Sequence, residues 1–200
     1  MIQPIVLAAG LGSRMGVNKA LLPVGDLPAL AVVLRTIEAA GLTSPIIVLG
    51  HNAEAVRNAV NLKHGCVIVN PHPEKGMSHS LGMGLDASPA DATGVLVFHV
   101  DMPFVASATV RAVANEARRG AILAAPVHEE TRGFPVFFAQ AVIASLKASL
   151  QGDIGGRTFI RSHDRDLTCV TVNDPGCVFD IDTPSDLGAW KGEPLCATKE

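Results

Sequence analysis

The sequence is poor in the features that mark disulfide-bonded, zinc-binding or membrane-spanning proteins. Of its 200 residues only four are cysteines, and none of them forms a CxxC pair or has a histidine at zinc-site spacing. We therefore expect free thiols in a reducing, cytoplasmic environment. No apolar run approaches the roughly 20 residues of a transmembrane helix. The amino-terminal segment also lacks the basic and long apolar regions of a signal peptide, so neither feature is predicted.

Charge is sparse as well. Charged residues make up 18% of the chain, the net charge is −3, and no stripe of lysine and arginine stands out. This balance disfavours binding to nucleic acid. The sequence also lacks an internal repeat and a low-complexity linker. With 48% apolar residues, we expect one domain over residues 1–193 and a frayed tail over 194–200.

Short, branched apolar runs alternate with helical stretches along the chain. The predicted strands are Ile5–Leu7, Ile46–Leu49, Val67–Val69, Val95–Val100, Ile122–Ala125, Pro135–Phe138 and Thr168–Val172. The predicted helices are Leu27–Ala40, Asn52–Lys63, Ser78–Ala87, Ser107–Arg119, Ala139–Leu150 and Thr183–Trp190. Several strands are apolar at successive positions, which is typical of strands that are covered on both faces. The pattern predicts a three-layer, Rossmann-like α/β fold with a mostly parallel sheet.

Residues at the helix ends support these boundaries. Gly41 and Gly120 follow two predicted helices at the position where glycine often ends a helix. The last helix begins with Thr183 as N-cap, Pro184 in the first position and Asp186 in the third, which is a strong start signal.

A glycine-rich stretch follows the first predicted strand, with glycines at positions 10, 12 and 16. A Walker A loop would have its lysine directly after the last glycine, whereas Lys19 stands further on. A dinucleotide-binding loop would have its third glycine where Met15 stands, and an acid near Gly50 at the end of the second strand. The stretch therefore fits neither of these phosphate loops.

Two cations, Arg14 and Lys19, lie within the same stretch. Such a pair suits a loop that holds a triphosphate and neutralises pyrophosphate as it leaves. A tight turn with solvated cations explains the same residues, so both interpretations stay open at this point.

The chain resembles the MobA-like nucleotidyltransferases, and among these it is most like the molybdenum cofactor cytidylyltransferases. The resemblance spans about residues 5 to 187. The matching blocks, in the family's order, are LAAGLGSRMGVNKALLP from Leu7, GMSHSL from Gly76, DMP from Asp101, RGFP from Arg132, GDIGGR from Gly152 and DIDTP from Asp180.

The resemblance implies a Mg²⁺-dependent transfer of CMP from CTP to the terminal phosphate of molybdopterin. It implies catalytic roles for Arg14, Lys19 and Asp101, and metal binding by Asp101 and, less directly, Asp182. Nucleotide binding is implied for Leu7, Ala8, Ala9, Gly10, Gly12, Ser13, Arg14, Lys19, Ser78, Ser80 and Asp101. Acceptor binding is implied for Arg132, Gly133, Pro135, Asp153 and Arg157.

The residues themselves give partial support to the metal assignment. Asp101 ends a predicted strand shortly before Pro103, so its carboxylate is expected at the carboxyl edge of the sheet, where Mg²⁺ takes one or two carboxylates plus phosphate oxygens. Taken alone, the DMP triplet is explained better by a solvated aspartate in a strand-to-helix turn. Helix capping does not explain the acids at 180 and 182, whose period-2 spacing puts both on one face of an extended segment.

Two further blocks have ordinary structural alternatives. The GMSHS block opens a helix whose first amides are expected to be free for a ligand, but Ser78 could equally be an N-cap. His79 is expected to face solvent. The glycine-flanked Arg132 and Arg157 suit an acceptor that carries a phosphate, although such loops are also common turns.

Two positions bear on substrate choice. Ala9 stands where guanylyltransferase relatives carry glycine, which favours a pyrimidine base. Phe134 departs from the histidine of many cytidylyltransferase relatives, which leaves the acceptor open. The alternatives are another nucleotide or acceptor, such as GTP with molybdopterin or a methylerythritol or sugar phosphate, or a molybdenum cofactor carrier without turnover. A molybdenum hydroxylase or its maturation factor is the implied protein partner.

Overall fold

The centre of the molecule is an eight-stranded sheet, seen in a computed structural model that describes residues 1–10 and 18–190. The strands of the described residues are β1 (Ile2–Ala8), β2 (Pro23–Val24), β3 (Leu27–Pro28), β4 (Ile46–Leu49), β5 (Cys66–Val69), β6 (Gly94–His99), β7 (Leu123–His128), β8 (Thr131–Arg132), β9 (Val136–Ala139) and β10 (Leu167–Thr171). The sheet order is β10-β7-β9-β6-β1-β4-β5, with β8 paired to β7, while β2 and β3 form a separate hairpin.

Most pairs in the sheet are parallel, as the sequence predicts. β1 pairs in parallel with both β4 and β6, and β4 pairs in parallel with β5. The exceptions are β9, which runs antiparallel between β6 and β7, and the short β8, which pairs antiparallel with β7. The carboxyl ends of β1, β4, β5 and β6 therefore meet at one edge, where ligands bind in open α/β sheets.

Helices cover both faces of the sheet. Their bounds are α1 (Ala29–Ala39), α2 (Ala53–Ala59), α3 (Met77–Asp86), α4 (Ser107–Arg118), α5 (Ile143–Ser149), α6 (Arg157–Ser162) and α7 (Pro184–Ala189). Successive residues of β1 point to opposite faces, so Val6 packs in a core with Leu30 of α1, whereas Ile5 packs in a second core with Leu81 of α3. The predicted three-layer α/β fold is confirmed.

Some predicted helix boundaries are wrong. The first helix begins at Ala29 rather than Leu27, since Leu27–Pro28 pairs with β2 in the small hairpin. The second ends at Ala59, where Val60 turns extended and the Asn61 side chain accepts a hydrogen bond from the Lys63 backbone N–H. That local bond competes with the helix.

Further differences lie in the second half of the chain. The predicted helix from Ala139 to Leu150 is reduced to α5, which follows a short 3-10 turn over Gln140–Val142. Helix α6 is an additional helix, which begins in a block for which the sequence predicts a glycine-rich loop. The helix-ending role of Gly41 and Gly120 is confirmed, because both adopt positive φ directly after the last helical turn.

Among residues 1–10 and 18–190, no helix is long and apolar enough to cross a membrane. Cys66, Cys169 and Cys177 are free thiols in this part of the chain. The predicted tail over residues 194–200 lies outside the described residues.

Candidate active site

A cavity of about 530 Å³ opens at the carboxyl edge of the sheet. Its floor is the end of β1 and the end of β6, and its rim comes from the segment before α3 and the loop after α5. The lining residues are Leu7, Ala8, Ala9, Gly10, Lys19, Pro73, Glu74, Lys75, Gly76, Met77, Ser80, His99, Val100, Asp101, Gly152, Asp153 and Asp182. The cavity thus gathers residues from five of the six sequence blocks.

The Lys19 ammonium joins two carboxylates at the floor of this cavity. Its Nζ atom lies 3.0 Å from Asp101 Oδ2 and 2.7 Å from Asp182 Oδ1. The Lys19 side chain is only 17% exposed, against 23% for Asp101 and 48% for Asp182. Three residues that are far apart in the sequence therefore form one charged cluster.

Local structure explains how each member of the cluster is held. The Asn18 side chain accepts a hydrogen bond from the Ala20 N–H and begins the 3-10 turn that carries Lys19. Asp101 lies two residues after the end of β6, and its carbonyl accepts a hydrogen bond from the Ile181 N–H at 2.8 Å. Ile181 is fully buried, so the segment that carries Asp182 is fixed against the sheet.

The start of α7 fixes Asp182 from the other side. Asp186 Oδ2 accepts hydrogen bonds from the backbone N–H groups of Asp182 at 2.8 Å and Thr183 at 2.6 Å. The predicted capping role of Thr183 and Asp186 is confirmed. The hydrogen bond from the Thr183 N–H lowers the pKa of the Asp186 carboxyl most, and the bond from the Asp182 N–H lowers it further. Together they outweigh burial, which raises this pKa. The cap is therefore also an anchor for the charged cluster.

The electrostatics of the cluster keep Lys19 charged. Burial alone would lower the pKa of the ammonium, but the hydrogen bond that Lys19 donates to Asp182 and the charge of Asp101 outweigh this effect. The pKa of Lys19 is consequently raised above its ordinary value of 10.5. A permanent cation at the cavity floor suits the binding of an anionic ligand such as a phosphate.

His99 is a cavity residue that the sequence analysis missed. It is the last residue of β6, its Nδ1 lies 3.9 Å from Asp101 Oδ1, and its ring packs on Phe134 with a centroid distance of 4.1 Å. Burial lowers the pKa of His99, the charge of Asp101 opposes this, and the charge of Arg157 adds to the lowering. One feature of the sequence could have predicted this position: His99 stands two residues before Asp101, at the end of a buried strand.

The amino-terminal end of α3 differs from the sequence prediction. Its N-cap is Gly76, not Ser78, and the first two amides are not free. The Met77 N–H donates to Asp153 Oδ1 at 2.8 Å, and the Ser78 N–H donates to the carbonyl of Gly152 at 3.1 Å. The loop after α5 therefore occupies the helix terminus that was expected to bind a ligand.

The Ser78 hydroxyl is also engaged within the protein. It donates to the Gln151 carbonyl at 2.9 Å and accepts from the Gly155 N–H at 3.0 Å, and the residue is only 4% exposed. Ser78 thus joins α3 to the loop after α5 and does not line the cavity. Ser80, two residues further into the helix, does line it.

The implied acceptor residues are dispersed. Asp153 lines the cavity, whereas Arg132 forms an exposed ion pair with Asp164 at 2.8 Å. The Gly133 amide donates to the Pro126 carbonyl at 2.8 Å. Pro135 and Arg157 do not line the cavity, although Arg157 is near enough to act on His99. The expected sites at Gly12, Ser13 and Arg14 lie outside the described residues.

Within the described ranges, no group of three or more His, Cys, Asp or Glu side chains is arranged to hold a metal ion. The two carboxylates on Lys19 are nevertheless a plausible pair of ligands, because both already converge on one cation. Mg²⁺ and similar ions often take only one or two protein carboxylates and complete their shell with phosphate oxygens and water.

Comparison with known proteins places this site in a family. Residues 4–167 match the model of the MobA-like NTP transferase domain. Nicotine blue oxidoreductase of Paenarthrobacter nicotinovorans is 30% identical over 190 residues, which are 92% of this chain and 93% of that protein. The bifunctional protein GlmU of Chromobacterium violaceum is 31% identical over 132 residues, so the match covers 65% of this chain but only 29% of GlmU.

Solved structures agree with this placement. Rv0371c of Mycobacterium tuberculosis superimposes with a TM-score of 0.85 at 32% identity, covering 94% of this chain and 95% of that one. A second structure of Rv0371c, in complex with manganese, gives a TM-score of 0.81 at 30% identity, with 94% and 96% covered. The family model spans most of the chain and the fold neighbours are similar over nearly their whole length. This chain therefore belongs to the MobA-like NTP transferase family and is a nucleotidyltransferase.

Proposed function

We propose that the protein transfers CMP from CTP to the terminal phosphate of molybdopterin in its metal-loaded form, and releases pyrophosphate. The observation that supports this proposal most is the cluster of Lys19, Asp101 and Asp182 on the floor of a cavity large enough for a nucleotide. A triphosphate substrate needs a cation that neutralises phosphate charge and carboxylates that can hold a metal ion, and this cluster supplies both.

The reaction needs little proton transfer. An oxygen of the acceptor phosphate is already anionic, and it forms a bond to the α-phosphorus of CTP. The bond from that phosphorus to the oxygen of the β-phosphate breaks, and pyrophosphate leaves with the electron pair. Catalysis is then positioning and charge neutralisation, so Lys19, together with Arg14, stabilises the charge that collects on the leaving pyrophosphate.

Asp101 and Asp182 are the residues that would hold a divalent cation, for which we propose Mg²⁺. When bound, such an ion neutralises phosphate charge and polarises the phosphorus under attack. The fit rests on the two carboxylates that already share one cation, the Lys19 ammonium. The manganese complex of Rv0371c gives a precedent for a divalent ion in a protein of similar fold.

The choice of CTP rests on Ala9. This residue lines the cavity and is 5% exposed, so its methyl group takes up space beside the nucleotide. The guanylyltransferase relatives carry glycine at this position, where a purine packs closer. A smaller pyrimidine base is therefore the better fit here.

The proposal is tested by pyrophosphate release with each of the four nucleoside triphosphates, with and without molybdenum cofactor. We expect release with CTP that depends on both the acceptor and Mg²⁺. Asp101→Asn should abolish it, whereas the matched surface change Asp86→Asn should not, because Asp86 forms an exposed ion pair with Lys147 and does not line the cavity.

The other outcomes identify the alternatives. Release with GTP, or only with a methylerythritol or sugar phosphate, would assign a different substrate to the same fold. Tight cofactor binding without release of pyrophosphate would favour a carrier. One relative is named an oxidoreductase, so the same preparation is also assayed for oxidation of NADPH or NADH. Oxidation of either cofactor without any release of pyrophosphate would overturn the proposal.

A further inference from the structure

A buried hydrogen-bond network lies behind the wall of the cavity, at the carboxyl end of β5. Its centre is Asn70, which is fully buried and whose backbone N–H continues the ladder to the carbonyl of Leu49 at 2.7 Å. The Asn70 side chain contacts Ser80 of α3, and Ser80 lines the cavity. None of the sequence blocks includes Asn70.

The orientation of the Asn70 side-chain amide is fixed by a backbone N–H, a group that can donate a hydrogen bond but cannot accept one. The backbone N–H of His72 donates to Oδ1 at 2.8 Å, so this atom must be the oxygen. His79 Nδ1 lies 3.0 Å from the same oxygen and must therefore carry the proton. His79 is half-buried, and its ring is consequently a partner of this network.

The amide nitrogen of Asn70 is then directed at Ser80. Nδ2 is a donor only, and it lies 2.9 Å from Ser80 Oγ, so the hydroxyl oxygen accepts this bond. Among the described residues Ser80 Oγ has no acceptor of its own for its hydrogen. Since the residue is 5% exposed and borders the cavity, that hydrogen is available to a ligand there.

We infer that Asn70 is a positioning residue for nucleotide selection, which rests on the proposed function. It makes the Ser80 hydroxyl a hydrogen-bond donor toward the cavity, and so favours a base that presents an acceptor at that point. The ring N3 and the O2 carbonyl of cytosine are such acceptors. A donor of fixed direction rejects a base that presents N–H at the same position.

The decisive change is Asn70→Asp, which keeps the shape of the side chain but replaces the donor with an acceptor. Ser80 then donates to the new carboxylate, and its lone pairs face the cavity. We expect KM for CTP to rise about tenfold with little change in kcat, since one hydrogen bond to the bound base is lost. Asn61→Asp is the matched control, because Asn61 is exposed and outside the cavity.

A double-mutant cycle separates this role from a general structural one. Ser80→Ala should raise KM to a similar extent, and Asn70→Asp should add nothing further in the Ser80→Ala background. Equal and independent effects of the two changes would overturn the inference. So would an unchanged KM in folded Asn70→Asp.

A second measurement does not depend on folding of the Asn70 variant. CTP analogues that lack N3, or that carry sulfur in place of O2, are compared in the unchanged protein and in Ser80→Ala. In the unchanged protein, we expect KM for at least one analogue to be about tenfold higher than KM for CTP. In Ser80→Ala, we expect this difference between the analogue and CTP to vanish. If KM for both analogues equals KM for CTP in the unchanged protein, the inference is wrong. If no nucleoside triphosphate is turned over by the unchanged protein, the proposed function fails instead.

Discussion

Replacement of Lys19 by alanine separates catalysis from stability. The change removes two charge-assisted hydrogen bonds, of 3.0 Å to Asp101 and 2.7 Å to Asp182. A bond of this kind contributes about 1.5–3 kcal/mol when buried and about 0.2–1 kcal/mol when exposed. Because Asp182 is 48% exposed, its bond contributes an energy near that of an exposed bond. For the two bonds together, we expect a loss of about 2 kcal/mol in the free energy of unfolding.

For a chain of this size, that loss lowers Tm by about 4–8 °C and leaves the protein folded at room temperature. The effect on turnover is expected to be larger. Loss of a group that stabilises transition-state charge lowers kcat by about 10²–10³-fold, or about 2.7–4 kcal/mol. Pyrophosphate release at saturating CTP and acceptor measures kcat, and circular dichroism gives Tm for the same preparation.

Lys147→Ala is the matched control, because Lys147 forms an exposed ion pair with Asp86 away from the cavity. It should keep both kcat and Tm. A folded Lys19→Ala protein with kcat within about threefold of the unchanged enzyme would refute the assignment.

The same variant has a defined pH dependence. The folded-state pKa of Lys19 is raised, so the stability from its ion pairs is complete below 10.5 and is lost as pH rises through the folded value. As the pH rises from neutral, the gap in unfolding free energy between Lys19→Ala and the unchanged protein should therefore shrink once the solution is strongly alkaline.

Three other changes test the frame around the cluster. Asp186→Ala removes both hydrogen bonds that anchor the segment of Asp182, so kcat should fall about tenfold with a minor change in Tm. Gly133→Ala should lower Tm by about 4–8 °C, because its Cβ would lie 2.1 Å from the Cys177 carbonyl oxygen. The thiol of Cys177 should resist a thiol reagent in the native protein, since burial and the neighbouring acid raise its pKa to about 12, whereas exposed Cys66 should react.

Each of these predictions has a clear contrary result. Unchanged kcat in Asp186→Ala would mean that Asp182 does not need its anchor. Gly188→Ala is the control for the glycine change, because its added Cβ meets nothing within 4 Å. Equal Tm values for the two glycine variants would contradict the close contact at Gly133. Peptide mapping that finds Cys177 modified as fast as Cys66 would contradict its burial.

The sequence predicts the layers of the fold well, because the apolar runs of β1, β4 and β6 are long enough to show burial on both faces. It predicts short local departures poorly. The β2–β3 hairpin at Leu27–Pro28 lies within an apolar stretch that continues into α1, so periodicity alone extends the helix through it. The six residues of α6 follow a glycine-rich loop and are too few to establish a helical period.

The site was predictable where a residue's role follows from its place at a strand end. Asp101 follows β6, whose carboxyl end lies beside that of β1 at one edge of the sheet. Lys19 and Asp182 reach this edge on connecting segments, and the Ile181 N–H bond to the Asp101 carbonyl holds the segment of Asp182 there. The role of Ser78 was not predictable, since its partners Gln151 and Gly155 lie in a distant loop. Burial of an asparagine such as Asn70 likewise depends on tertiary packing and leaves no local pattern.

The most direct test of the central claim follows the α-phosphate itself. CTP labelled at the α-phosphorus is incubated with Mg²⁺, molybdenum cofactor and the protein, and label and pyrophosphate are both measured. We predict that label appears in the acceptor in a one-to-one ratio with pyrophosphate, and that both are lost in Lys19→Ala. Label that stays in CTP, or that appears as free CMP without an adduct of the acceptor, would contradict the account.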